Sequence, residues 1–161
     1  MGLEESRKVD YVLDNYFIGE EKNMKKKILL IDDEEDCLRP LAFRLARRGF
    51  QVLLARDGEQ GLREAKEMIP DLIILDLFLP KLSGEEACKA LREDDNDALE
   101  NIPILMLTAK DSQADRIIGK VIGATTYMTK PIEINLLLKE ISRLLYEKKY
   151  GRKKPSVHGE N

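Results

Sequence analysis

Apolar and polar positions fall in regular blocks along the chain. Short apolar runs at 27–31, 51–55, 72–75, 102–107 and 125–128 alternate with stretches whose apolar residues recur every three or four positions. Four of the runs are almost continuously apolar, the pattern of strands covered on both faces of a parallel sheet. The stretches between and after them, roughly 36–48, 58–68, 83–93, 111–121 and 133–146, have helical spacing. The last is clearest, with Ile134, Leu137, Leu138, Ile141, Leu144 and Leu145 on one stripe. Turn residues at Gly49, Asp57-Gly58, Pro70 and Gly123 sit between elements. Five β/α pairs in strict alternation predict right-handed crossovers and an α/β fold, a parallel sheet with helices packed on it. Pro40 falls inside the first helical stretch, so a helix that starts late or bends near Arg39 is expected there.

The two ends break this pattern. Residues 1–23 carry a net charge of −3 and residues 148–161 a net +4, while the whole chain of 161 residues carries −3. The division expected is therefore an N-terminal extension (1–23), a domain (24–147) and a basic, disordered tail (148–161). Within the extension Val9, Val12, Leu13, Tyr16 and Phe17 form one apolar stripe, which predicts an amphipathic helix that needs a surface to lie on. No further domain is expected after residue 147.

Composition removes several classes of chemistry. No apolar run approaches the length of a membrane span, and the N-terminus lacks a signal peptide's apolar core, so a cytoplasmic protein without membrane contact is expected. The near-neutral body gives no basic footprint for nucleic acid. Cys37 and Cys88 stand far apart without a C-x-x-C motif and read as two reduced, buried thiols. The only histidine, His158, lies four residues from the end of the chain, which removes His-based metal sites and acid–base dyads. Carboxylates, hydroxyls and lysines remain.

Open α/β sheets bind ligands at the carboxyl ends of their strands, beside the point where strand order reverses. The residues that end the apolar runs are Asp32 and Asp33, then Asp76, then Thr108, then Lys130. Two ionised carboxylates about 4 Å apart repel by about 4 kcal/mol at an effective dielectric near 20. A hard divalent cation relieves that repulsion, and an all-oxygen, partly hydrated site favours Mg²⁺.

These residues carry a family resemblance. From about Met24 to Tyr146 the chain resembles a response-regulator receiver domain, of the stand-alone kind that serves chemotaxis. The acidic pair in KILLIDDEED, Asp76 with Pro80 and Gly84 in LIILDLFLPKLSG, Thr108 in ILMLTAK, and Tyr127 with Lys130-Pro131 in GATTYMTKP all match in order and spacing. The resemblance implies a flavodoxin-like (βα)5 doubly wound parallel sheet of strand order 2-1-3-4-5. It implies Asp76 as phospho-acceptor, with Lys130 and Thr108 completing the catalytic set. Mg²⁺ would be held by Asp33 directly, Asp32 through water, Asp76 and the backbone carbonyl of Phe78; Mn²⁺ would substitute. Thr108 and Tyr127 would be the switch pair, and the Lys130-Pro131 peptide bond would be cis.

The same resemblance implies a signalling switch rather than a turnover enzyme. Its partners would be a sensor histidine kinase or histidine phosphotransfer protein and a downstream target, with a phosphorylation-dependent homodimer as a further option. Phe78 and Lys110 depart from common receivers at positions that tune water access. Two alternatives stand beside this reading, a phosphorelay intermediate and a Mg²⁺-dependent phosphohydrolase with an aspartyl nucleophile. The second wants a carboxylate two residues after the nucleophile, where this chain has Phe78.

Overall fold

The computed structural model of the chain describes residues 24–109 and 123–151. The N-terminal extension, the helix expected at 111–121, Lys110, and tail residues 152–161 lie outside the described residues. Within them run β1 (Lys27–Ile31), α1 (Glu35–Arg47), β2 (Gln51–Ala55), α2 (Gly58–Met68), β3 (Leu72–Asp76), α3 (Gly84–Arg92), the single-turn α4 (Asp97–Glu100), β4 (Ile104–Thr108), β5 (Thr126–Thr129) and α5 (Ile134–Tyr150). All strand pairings are parallel, and the sheet order is β2-β1-β3-β4-β5. Chain progression therefore reverses between β1 and β3, which creates a crevice at their carboxyl ends.

Strand alternation divides the core into two layers. Ile28, Leu30, Leu72, Ile74, Leu105 and Leu107 face α1 and α5. Leu29, Ile31, Ile73, Leu75, Ile104 and Met106 face α2, α3 and α4. Position in the sheet sets burial: β3 and β4 are buried throughout, whereas the edge strands β2 and β5 are only partly covered. Sequence-coded caps start the helices at the carboxyl edge of the sheet. Asp57 accepts from the Gln60 amide at 2.8 Å to cap α2. Ser83 and Glu86 form a reciprocal capping box at the start of α3.

Several sequence expectations need correction. The first helix does not start late; it begins at Glu35 and carries Pro40 in its interior. Pro40 sits on the exposed side, so the missing amide leaves the Asp36 carbonyl to water rather than to the core. β4 begins at Ile104 rather than at residue 102, because Pro103 has no N–H for the ladder, although its carbonyl still accepts from Ile73 at 3.0 Å. The last helix runs through Lys148, Lys149 and Tyr150, past residue 146 where the helical spacing of apolar residues ends. Of the two free thiols, Cys88 is buried but Cys37 only half-buried.

Replacing Pro40 with Ala restores a helical amide at a solvated position. We expect chemical denaturation to show a gain of about 1–3 kcal/mol. An unchanged or lowered midpoint would show that the proline is accommodated without cost.

Candidate functional site

The crevice at the strand-order reversal holds the acidic cluster. β1 delivers Asp32 and Asp33, and β3 ends on Asp76 in the next strand of the sheet. One carboxylate oxygen from each lies within 4.8 Å of the others. Asp32 and Asp76 are buried, while Asp33 is exposed. At such separations the repulsion between the two buried carboxylates, were both ionised, is about 3–4 kcal/mol at an effective dielectric near 20. Lys130, just beyond β5, relieves it: its Nζ donates to Asp32 Oδ2 at 2.8 Å and to Asp76 Oδ2 at 2.9 Å. The remaining oxygens are held by backbone amides. Asp32 Oδ1 accepts from Glu34 N at 2.9 Å, and Asp76 Oδ1 accepts from Phe78 N at 3.1 Å.

Burial and pairing compete in this cluster. Burial pushes the Asp76 carboxyl above its ordinary value, although Lys130 and the Phe78 amide favour the charged form. Burial opposes the Lys130 ammonium, but the hydrogen bonds to Asp32 and Asp76 outweigh it, so this lysine stays protonated beyond its ordinary range. The donor set is all oxygen, hard and net negative, with one face solvated at Asp33. It suits a small divalent cation of the Mg²⁺ type.

The backbone beneath Asp76 admits no slack. A Cβ added to Gly84 would lie 2.2 Å from the Asp76 carbonyl oxygen and 2.9 Å from Leu77 Cα. The start of α3 therefore packs directly on the Asp76 backbone, and only glycine permits that approach. On the other side, Thr108 ends β4 at 3% exposure. Its carbonyl accepts from the Lys130 amide at 2.7 Å, which carries the β4–β5 pairing up to the lysine. The Lys130-Pro131 bond is cis. Tyr127 pairs in register with Met106 and packs on the α2/α3 layer. Its hydroxyl is buried without a hydrogen-bond partner among the described residues. Phe78 stands 64% exposed at the mouth of the crevice.

Asp32, Asp33, Asp76 and Lys130 are thus brought into one cluster. Thr108 lies in register opposite Thr129, one residue before Lys130. Sequence reasoning missed a rim contact, the Lys81–Asp57 ion pair at 3.4 Å, which ties the loop after Asp76 to the cap of α2. A signal existed: Pro80 followed by a residue at positive φ, here Lys81 at 66°, marks a turn that folds the loop back. It also missed Arg92, a half-buried side chain at the end of α3 that donates to four backbone and hydroxyl oxygens with no local sequence sign of it.

Comparison with known proteins agrees with this geometry. The family profile described as "Response regulator receiver domain" matches residues 28–142. The chain is 48% identical over 123 residues to the alkaline phosphatase synthesis transcriptional regulatory protein PhoP of Bacillus subtilis, covering 74% of this chain and 50% of that protein. It is 38% identical over 118 residues to the sensory transduction protein RegX3 of Mycobacterium tuberculosis, covering 73% of this chain and 50% of that one. The chain spans about half the length of these curated relatives. Among solved structures, the chemotaxis protein CheY4 of Vibrio cholerae superposes with a TM-score of 0.70 at 33% identity, covering 75% of this chain and 99% of CheY4. The receiver domain of the sensor histidine kinase PA1611 of Pseudomonas aeruginosa, which has a magnesium ion coordinated in its active-site cleft, gives 0.69 at 31% identity, covering 76% and 99%.

The raised pKa of Asp76 has a sign that can be tested. A carboxyl raised on folding favours the native state at low pH, and that contribution is lost as pH rises through its folded value. Metal-free Asp76→Asn should therefore unfold at higher urea than the wild type at neutral pH, with the gap closing as the solution is acidified below the ordinary carboxylate range. Saturating Mg²⁺ should narrow or reverse the gap, because binding stabilises only the chain that keeps all three acids. A variant less stable at neutral pH without metal would contradict the assignment.

Proposed function

This chain belongs to the response-regulator receiver domain family, and from that premise we propose that it is an aspartyl-phosphate switch with Asp76 as the acceptor. Receiver domains are the phospho-accepting signalling switches of two-component systems, served by histidine kinases or phosphotransfer proteins. The observation that carries the reading for this chain is Lys130 lodged between Asp32 and Asp76 at the sheet's reversal point, with Asp33 beside them.

In the proposed reaction an Asp76 carboxylate oxygen attacks the phosphorus of a kinase phosphohistidine or a small acyl phosphate. A new P–O bond forms, and the donor's P–N or P–O bond breaks with its electron pair leaving on the donor. A Mg²⁺ held by Asp32, Asp33, Asp76 and the Phe78 carbonyl would neutralise charge on the transferring group. The Lys130 ammonium, already 2.9 Å from Asp76, stays with the acceptor and holds a phosphoryl oxygen. The Phe78 amide, now on Asp76 Oδ1, offers a further donor, and Thr108 supplies a hydroxyl.

The switch reading rests on Thr108 and Tyr127. The phosphoryl group adds a charge of roughly −1.5 to −2, if an acyl phosphate behaves as other phosphoresidues do. Thr108 turns toward it, and Tyr127 takes up the space released. Tyr127 lies in a partly exposed edge strand, and its buried hydroxyl has no hydrogen-bond partner among the described residues, which is compatible with a side chain that moves. Phe78 and Lys110 would set how fast water reaches the acyl phosphate. Phosphorylation would then alter affinity for a downstream target or a second copy of the chain.

Incubation with an acyl-phosphate donor and Mg²⁺ should add one phosphoryl mass to the chain. Asp76→Asn and EDTA should each abolish it; persistence in either would reject Asp76 as the acceptor. Thr108→Ala should still take up phosphate, yet lose the phosphorylation-induced change in partner affinity or dimer mass. A normal response from that variant would remove Thr108 from the switch.

A further inference from the structure

Arg92, the last residue of α3, is half-buried and folds its guanidinium back onto the chain. Nε donates to Gly123 O at 2.8 Å, Nη1 to Glu100 O at 2.8 Å and Ile102 O at 2.7 Å, and Nη2 to Thr125 Oγ1 at 3.3 Å. Each of these acceptors is a neutral oxygen. Two of them, Glu100 O and Ile102 O, belong to the end of α4 and its exit, where a helix leaves carbonyls without backbone donors and favours a cation. The other two belong to the entry of β5. Gly123 (φ 94°) carries the chain past the arginine, since a Cβ there would lie 2.9 Å from Arg92 Cγ. Thr125 is tied a second time: its Oγ1 accepts from Ile104 N at 3.0 Å, and its amide donates to Ile104 O at 2.9 Å.

β5 needs such a fastening. It is an edge strand, partly exposed along its length, and its TYMT sequence has no strong apolar alternation to hold register. Tyr127 lies two residues and Lys130 five residues beyond Thr125. We propose that Arg92 is a positioning residue for the phosphorylation site: it pins the lower end of β5 to β4 and α4, and the register so fixed carries Lys130 to Asp32 and Asp76. The functional half of this inference rests on the aspartyl-phosphate reading above.

Loosening the clamp has a signature that mere loss of stability lacks. Lys130 shares Asp32 and Asp76 with any bound cation, so its withdrawal leaves the acids more negative. Arg92→Gln in the full chain should bind Mg²⁺ several-fold more tightly while taking up phosphate several-fold more slowly. Hydrogen exchange should show β5 amides opening about tenfold faster, with β1 and β3 little changed. Thr125→Val should shift all three readouts in the same direction, less strongly, and it serves with Arg92→Lys if Arg92→Gln does not fold.

Wild-type Mg²⁺ affinity and phosphorylation rate, or a uniform rise in exchange across the sheet, would overturn the proposal and leave Arg92 a stabilising residue only. Were the wild type itself to bind no Mg²⁺ and take no phosphate, the reading of the site would fall. The β5 exchange comparison would still decide the clamp.

Discussion

The site depends on a repulsion that the fold creates and then contains. Placing β1 beside β3 brings Asp32, Asp33 and Asp76 to one crevice, where carboxylates would push apart without a cation among them. Lys130 supplies that cation from 98 residues beyond Asp32 and 54 beyond Asp76. The ion bridge forms only when β1, β3, β4 and β5 are all in place, so the polar site is a product of the complete sheet. Burial strengthens each contact in it and raises the cost of leaving any one unpaired. Removing the lysine alone is therefore a harsher change than removing an exposed surface charge.

Much of this was legible in the residues. Buried strands betray themselves by continuous apolar runs, and the first two strand limits and that of α2 fall where the pattern puts them. Asp32, Asp33, Asp76 and Lys130 could be nominated together because strand ends at a reversal point share a crevice. Reading failed where tertiary context decides. Pro103 trims β4 from its amino end, while Pro40 is tolerated because its side of α1 meets water. α4 grows from an acidic, asparagine-containing stretch that resembles a loop, capped by Asn96 through the Ala98 amide. Arg92 ends a helix beside a run of acids, where an arginine ordinarily stays solvated; only the fold turns it inward.

The two faces of Asp76 are supported unequally. Toward α3 the packing is close and rigid, with Gly84 against the Asp76 backbone and the capping box fixing the helix start. Toward β4 and β5 the support ends in an edge strand whose residues are all partly exposed. Strain introduced at Asp76 has an easier outlet on the second side. Elements that move are drawn from the less stable parts of a fold, and in this sheet the strand bearing Tyr127, with Lys130 just beyond it, is such a part.

Arg92 holds its surroundings through backbone carbonyls and one hydroxyl rather than through acidic side chains. Glu100 and Ile102 contribute only peptide oxygens to it, so exchanging their side chains leaves these hydrogen bonds available. Inserting or deleting a residue between positions 93 and 103 would instead carry those oxygens out of reach. By this contact, the connection carrying α4 is fixed in its length, while the demand on its side chains comes from elsewhere, from the buried Leu99 and Ile102 and the Asn96 cap.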